Sequence, residues 1–385
     1  MQKFDFFTSS RIIFGRGRIG EAGEAAVKLC SRILIVSGGT SMERSGILTK
    51  LEESLKANGL AFRYFKGVVD EPEPDIVEAG TKIARDFGCD GILAVGGGSV
   101  IDTGKAISAL LTNGGRLVDY LEGVGSGARL VKDPSPFIAI PTTAGTGSEV
   151  TKNAVITSRS ARFKKSLRHE RLIPDIALVD PELTLTLPPA QTAYSGMDAI
   201  TQLIEAFTTR KSNGMTDALC LYGIKLAGGA MGTAFDNGDN IEAREAMSLA
   251  SLLSGICLAN AGLGAAHGVA AALGCFYGIP HGLACSILLP HVMELNMEAA
   301  LDKYAMIGRT LTGTRTEDAR EAAQAGIGFI RSLNKHMGIP RDLKQYKIAS
   351  ADLPDLVKAS KGNSMNGNPL ILSDSQILDF IAGII

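Results

Sequence analysis

The sequence predicts an α/β domain followed by an all-α domain: a Rossmann-like, parallel-sheet N-terminal domain over residues 1–186, a helical C-terminal domain over 187–385, and a cleft between them. Three observations carry this expectation. In the first half, short β-branched apolar runs alternate with polar helical segments, the pattern of a parallel sheet with helices on both faces. From Pro188 onward such runs largely disappear and helical periodicity takes over. The change falls at Leu187-Pro188-Pro189, a strong local breaker.

The strands read in order as 32–36 (RILIV), 61–65 (AFRYF), 91–95 (GILAV) and 137–140 (FIAI), each bounded by Gly, Pro or Asp. Between the first two, Ile47, Leu48, Leu51 and Leu55 recur at helical spacing within 42–58. The later helices read as 197–208, 214–229, 241–261, 267–276, 298–311 and 316–337, with no internal repeat. In an open α/β sheet, ligands bind beyond the carboxyl ends of the strands, so the turns there are the first places to look.

Composition narrows the class. The chain has 385 residues, 45% hydrophobic and 21% charged, enough for well-buried cores. A formal net charge of −1 and a pI near 6.5 give no electrostatic reason to bind nucleic acid or an anionic membrane. The start lacks a continuous apolar stretch with a cleavage site, and no later run reaches ~18 uninterrupted apolar residues, so export and membrane spanning are not expected. Six cysteines stand singly with no CxxC pair, which fits reduced thiols in a cytoplasmic protein. Cys275 and Cys285 flank His281 in an apolar context and read as buried small hydrophobes rather than zinc ligands.

Three strand ends carry turns suited to a dinucleotide. The run 91–95 leads into Gly96-Gly97-Gly98-Ser99 and a helix start holding Asp102 and Lys105, where glycine backbone and a helix N-terminus can cradle phosphate. Neither GxGxxG, with Ile101 at its last glycine, nor the Walker pattern, with Ala106 after Lys105, is satisfied. The run 137–140 leads into PTTAGTGSEVT, whose Thr142, Thr143, Thr146 and Ser148 offer hydroxyls to a pyrophosphate, ribose and nicotinamide amide. After 32–36 comes Ser37-Gly38-Gly39-Thr40-Ser41, with Arg44 close by. The acidic residue that would bond ribose hydroxyls and repel a 2′-phosphate is missing, so NADP(H) is at least as well suited as NAD(H).

A metal site is the remaining signal. Of five histidines, His267 and His281 lie fourteen residues apart among small residues in 262–291. Asp198 and Gln202, at i and i+4 of an expected helix, share a face. A carboxylate, an amide oxygen and two imidazoles form the four-ligand set expected around Zn²⁺ or a similar ion, although the amide is a weak, uncharged donor.

These motifs together resemble the iron-containing, or group III, alcohol dehydrogenase family over nearly the full chain. The resemblance rests on GGGSVIDTGK (96–105), PTTAGTGSEVT (141–151), DPEL (180–183), GMDAITQLIEAF (196–207) and AHGVAAALGCFYGIPHGLACSILLP (266–290). It implies an NAD(P)-dependent oxidoreductase (EC 1.1.1.-) moving hydride between a primary or small secondary alcohol and its aldehyde or ketone, with Fe²⁺ or Zn²⁺. A homodimer or larger homo-oligomer is also implied. By position, Asp198, His267 and His281 act through the metal, with Gln202 in the fourth ligand's place. Gly38, Ser41, Gly97, Gly98, Ser99, Asp102, Thr142, Thr143, Thr146, Ser148, Lys164 and Leu183 contact the cofactor.

Two departures stand out: Gln202 replaces a ligand histidine, and Ala271 replaces a second histidine four residues after His267, leaving proton delivery to water or the cofactor ribose. They keep alternatives in view. One is a dehydroquinate-synthase-like or glycerol-dehydrogenase-like member with altered chemistry. Another is a metal-free reductase of maleylacetate-reductase type, or a cofactor-binding protein without turnover.

Overall fold

The computed structural model describes residues 3–39, 41–68 and 70–385. The chain divides into two compact units, Phe7–Thr186 and Leu187–Ile385, with residues 3–6 grouped with the second.

In the first unit, β1 (Arg11–Phe14) precedes helix α1 (Ala22–Ala26), β2 (Arg32–Ser37), α2 (Ser41–Arg44), α3 (Ile47–Ala57) and β3 (Ala61–Phe65). Then come α4 (Pro74–Phe87), β4 (Gly91–Gly96), α5 (Gly98–Asn113), β5 (Phe137–Pro141), β6 (Asn153–Ser158), β7 (Phe163–Arg168) and β8 (Ile176–Val179). Six strands form one sheet in the order β1-β8-β5-β4-β2-β3, every neighbouring pair parallel. The four strands read from the sequence are all in it. Three features were not anticipated: the edge strand β1, its neighbour β8, and the antiparallel hairpin β6–β7, which stands as a separate two-stranded sheet. The helix expected over 42–58 is interrupted at Ser45 and Gly46.

Alternation along the strands sets two faces. Ile33, Ile35, Leu93, Val95, Ile138 and Ile140 pack with Leu48, Leu51 and Leu55 of α3. Leu34, Val36, Ile92, Ala94, Phe137 and Ala139 pack with Val77 of α4 and Ile107 and Leu110 of α5. Burying one such side chain is worth about 1.5–3 kcal/mol, so the sheet is stabilised from both faces. The chain winds outward in opposite directions from β2 and β4, making a topological switch point between them, and the Gly38 and Gly97 turns follow those two strands.

The second unit is mostly helical: α6 (Pro189–Thr208), α7 (Gly214–Asp236), α8 (Ile241–Ala261), α9 (Ala265–Tyr277), α10 (His281–Asn296), α11 (Leu301–Thr312), α12 (Ala319–His336), α13 (Leu353–Ser360) and α14 (Asp374–Ala382). Helix α10, and α13 and α14 near the end, go beyond the segments anticipated from periodicity. Helix α7 is apolar enough over its length to meet the composition of a membrane span. Its Thr216, Cys220, Gly223, Ile224, Ala227, Met231 and Ala234 nevertheless form a buried stripe at helical spacing, packed among α6, α8 and α11. Asn213 caps its start by accepting from Met215 N and Thr216 N.

Candidate metal centre and cofactor turns

Helix α6 presents Asp198, Gln202 and Glu205 at i, i+4 and i+7, on one face, and all three are buried. Helix α9 brings His267 in its first turn, and α10 opens with His281 after Pro280. The approach of α10 to α6 depends on Gly282, since a Cβ there would lie 2.2 Å from Tyr194 O. His267 Nε2 is 3.2 Å from Asp198 Oδ1, and His281 Nε2 is 3.8 Å from the same oxygen. Gln202 Oε1 accepts from Ser254 Oγ of α8 at 2.8 Å.

Two further residues belong to this cluster. Cys285, expected to be an inert apolar filler, is wholly buried with its Sγ 3.7 Å from His281 Nε2, because α10 is already helical at His281 and i+4 falls on the same face. One ligand atom from each of Asp198, His267, His281 and Cys285 lies within 4.8 Å of all the others. Glu205 stands behind His267: Nδ1 is 2.6 Å from Glu205 Oε2, while Ala266 N donates to Oε1 at 2.7 Å and His267 N to Oε2 at 3.4 Å. Gly264 makes room, since a Cβ there would lie 2.8 Å from Glu205 Oε1. The carboxylate thus caps α9, where the helix dipole favours negative charge, and fixes the imidazole with Nε2 toward Asp198. Asn368 Oδ1 takes the adjacent Ala265 N–H at 3.1 Å. Spacing held a signal for both residues: Glu205 is seven residues after Asp198, and Cys285 four after His281.

The electrostatics suit a cation. Burial pushes the Asp198 carboxyl up, but His281 and His267 outweigh it and hold it below the usual carboxylate range. Burial opposes charge on His267 too, yet Cys285, Asp198 and Glu205 raise its proton affinity well above that of free imidazole. Burial drives the Cys285 thiol up to about 11. Carboxylates that make imidazoles take up protons are carboxylates that attract positive charge, and a divalent ion supplies that charge while binding neutral imidazole nitrogen. The donor set therefore fits a divalent metal.

The glycine and hydroxyl turns of the first unit lie against each other. Thr143 is 3.4 Å from where a Gly97 Cβ would be, and Thr146 is 2.8 Å from a Gly98 Cβ, so the turn after β4 and the loop after β5 form one surface at the helix start. Ser99 is in the first turn of α5, leading N–H groups that lack intrahelical partners. Thr142 N donates to Gly96 O at 3.0 Å. Gly38 follows β2, and Ser41 is the first residue of α2; nearby Glu43 is ion-paired with Lys66.

The remaining candidates are engaged within the fold. Asp102 is buried and accepts from Val155 N at 2.9 Å, anchoring the β6–β7 hairpin. Lys105, fully buried, donates to Thr151 O at 2.8 Å and Asn153 O at 3.0 Å. Ser148 is buried in a short 3₁₀ turn, and Lys164 of β7 is ion-paired with Glu71. The Leu183 side chain belongs to the core beneath the sheet.

Comparison with known proteins shows the family. Residues 9–181 match the family described as iron-containing alcohol dehydrogenase, and residues 192–384 match the Fe-containing alcohol dehydrogenase family C-terminal domain. The chain is 32% identical to the NAD-dependent methanol dehydrogenase of Bacillus methanolicus, covering 98% of each. It is 35% identical to the NADPH-dependent butanol dehydrogenase of Clostridium saccharobutylicum, covering 91% of this chain and 89% of that one. A solved 1,3-propanediol oxidoreductase superposes over 100% of both chains with a TM-score of 0.94 at 32% identity. The chain belongs to the iron-containing alcohol dehydrogenase family, whose members among these relatives are nicotinamide-dependent oxidoreductases.

Proposed function

We propose that this chain interconverts a small primary or secondary alcohol and its aldehyde or ketone, with one divalent metal held in the helical unit and NAD(P) held by the glycine and hydroxyl turns. The observation that carries the reading is the convergence of Asp198, His267 and His281 ligand atoms in one buried cluster. When bound, the metal supplies Lewis acidity toward the substrate oxygen and the nicotinamide exchanges the hydride. In the oxidation direction the alcohol gives up a hydride to NAD(P)⁺ and a proton to solvent, leaving the carbonyl compound.

The protein's own part is binding, orientation and protection from water. Asp198, His267 and His281 are assigned as metal ligands, and Glu205 as the positioning residue that takes the Nδ1 side of His267 and leaves Nε2 to face the metal. Gly97, Gly98 and Ser99 are assigned to the pyrophosphate, and Thr142, Thr143 and Thr146 to the ribose and nicotinamide side. Gly38, Ser41, Asp102, Ser148, Lys164 and Leu183 complete the assigned cofactor environment. Asp102 and Lys105 act there by holding the hairpin and the 148–153 segment in place. No acidic side chain follows β2 directly and Glu43 is paired, so NADP(H) is taken as a cofactor at least as readily as NAD(H). The same reading takes the protein as a homodimer or larger homo-oligomer in the cytoplasm, on the strength of its family and of cysteines placed singly along the sequence with no CxxC pair.

The test is NADH and NADPH oxidation with a panel of short aldehydes, on protein as purified, after chelation, and after refilling with Fe²⁺ or Zn²⁺. Activity lost on chelation and regained on refilling is expected. Absence of turnover in every metal state overturns the reading.

A further inference from the structure

We propose that Cys285 Sγ is a metal ligand in this chain, so that the ion is held by Asp198, His267, His281 and Cys285, with Gln202 acting as a hydrogen-bonding neighbour. The inference rests on the metal-dependent reading above.

Geometry is the first support. A tetrahedral ion with bonds of ~2.3 Å to sulfur and ~2.05 Å to nitrogen or oxygen holds sulfur and nitrogen about 3.6 Å apart, and nitrogen and oxygen about 3.3 Å apart. The separations here are 3.7 Å for Cys285 Sγ and His281 Nε2, and 3.2 Å for His267 Nε2 and Asp198 Oδ1. His281 Nε2 to Asp198 Oδ1, at 3.8 Å, needs a side-chain adjustment of a few tenths of an ångström. The thiol sulfur also lies within 4.8 Å of the ligand atoms of Asp198 and His267, so it borders every other ligand.

Donor chemistry is the second. A thiolate is anionic and polarisable, whereas the Gln202 amide oxygen is neutral and already accepts from Ser254. Coordination replaces the thiol proton by the ion, Cys–SH plus M²⁺ giving Cys–S–M⁺ and a proton released to solvent. Of the two metals considered, an S,N,N,O set favours Zn²⁺ over Fe²⁺. Gln202 and Cys285 are then linked: the strong donor missing on α6 is supplied from α10.

Cobalt makes the sulfur visible. The full chain, stripped with a chelator and kept reduced without thiol reagents, is titrated with Co²⁺ alone. Expected are one Co²⁺ per chain and a near-ultraviolet sulfur-to-cobalt charge-transfer band. C285S should lose the band and bind Co²⁺ at least about tenfold more weakly, while Q202A should keep the band. X-ray absorption of the Zn²⁺-loaded parent should show one sulfur neighbour at ~2.3 Å, a measurement independent of how C285S folds. Stoichiometric Co²⁺ without a sulfur band, or a band that persists in folded C285S, overturns the ligand assignment and leaves the metal-dependent reading standing. No Co²⁺ or Zn²⁺ uptake by the parent overturns both.

Discussion

Replacing Glu205 by glutamine separates a positioning role at the metal from a structural role at a helix end. Glutamine keeps the size of the side chain, and its carbonyl can still accept from Ala266 N, 2.7 Å away in the parent. Its other end becomes an NH₂ donor where Oε2 now faces His267 Nδ1 at 2.6 Å. Nδ1 must then accept, which moves the ring proton to Nε2, the atom 3.2 Å from Asp198 Oδ1. A protonated Nε2 cannot ligate, so metal affinity should fall about 10- to 100-fold, or about 1.4–2.7 kcal/mol. Separately, the metal-free protein should lose roughly 1.5–3 kcal/mol for the charge-assisted bond at the start of α9. Affinity is read by competition against a calibrated chelator, and stability by denaturant melts of the stripped protein. The two readouts answer different questions. Limiting metal should depress E205Q turnover far more than saturating metal. A variant that is destabilised yet binds metal within about twofold of the parent would refute the positioning role and leave Glu205 only a cap.

Two predictions concern the first unit. G98A puts a methyl 2.8 Å from the Thr146 side chain; strain of roughly 1–3 kcal/mol should appear in melting, and NAD(P)H binding followed by fluorescence should weaken. Adding T146A should recover stability but not affinity; if it recovers both, the Thr146 hydroxyl has no part in binding. For E149Q the readout is pH dependence. Burial lifts the Glu149 carboxyl from 4.5 to about 7, so between those values the folded state holds a proton that the unfolded state has released. The parent's stability is therefore full below about pH 4.5, falls as pH rises through 7, and levels off above. Denaturant melts should show E149Q gaining on the parent by roughly 3 kcal/mol between pH 4.5 and 8. Lys105, lowered by burial to about 8, works in the opposite direction above that pH, so the comparison stops at pH 8. A flat difference would mean that Glu149 ionises freely in the fold.

The first-unit architecture was largely legible because a parallel sheet covered on both faces writes itself as continuous apolar runs. RILIV, GILAV and FIAI leave little doubt of period or length. The β1 strand was lost because RIIF is only four residues long, at the sheet edge and partly exposed, where the apolar signal is thin. The β6–β7 hairpin was lost for a different reason. Its second strand, FKKSLR, is charged and mostly half-buried, giving the core only Phe163 and Leu167, and the hairpin is also held by Asp102 and Lys105 reaching from α5 to backbone groups of its first strand. Local pattern cannot report a strand whose anchor lies about fifty residues earlier in the chain.

At the metal centre the legibility ran differently. Asp198, His267 and His281 are residue types that announce ligation, and the fold brings them together from three helices. Glu205 and Cys285 carry types with blander uses, a helix carboxylate and a small core thiol, so only their spacing could have singled them out. That spacing becomes readable once α10 is known to begin at His281 itself, since a loop there would send Cys285 elsewhere and a helix returns it to the face of His281. The same fact changes how the glutamine at 202 is understood. Taken alone, Gln202 is a damaged ligand set and argues for lost metal or lost catalysis. With Cys285 at 3.7 Å from His281 Nε2 the cluster retains four strong donors, and the substitution becomes a change in the metal's preference. On the proposal above, the question for this chain becomes whether sulfur ligates the ion, and absorption by bound cobalt answers it independently of any substrate.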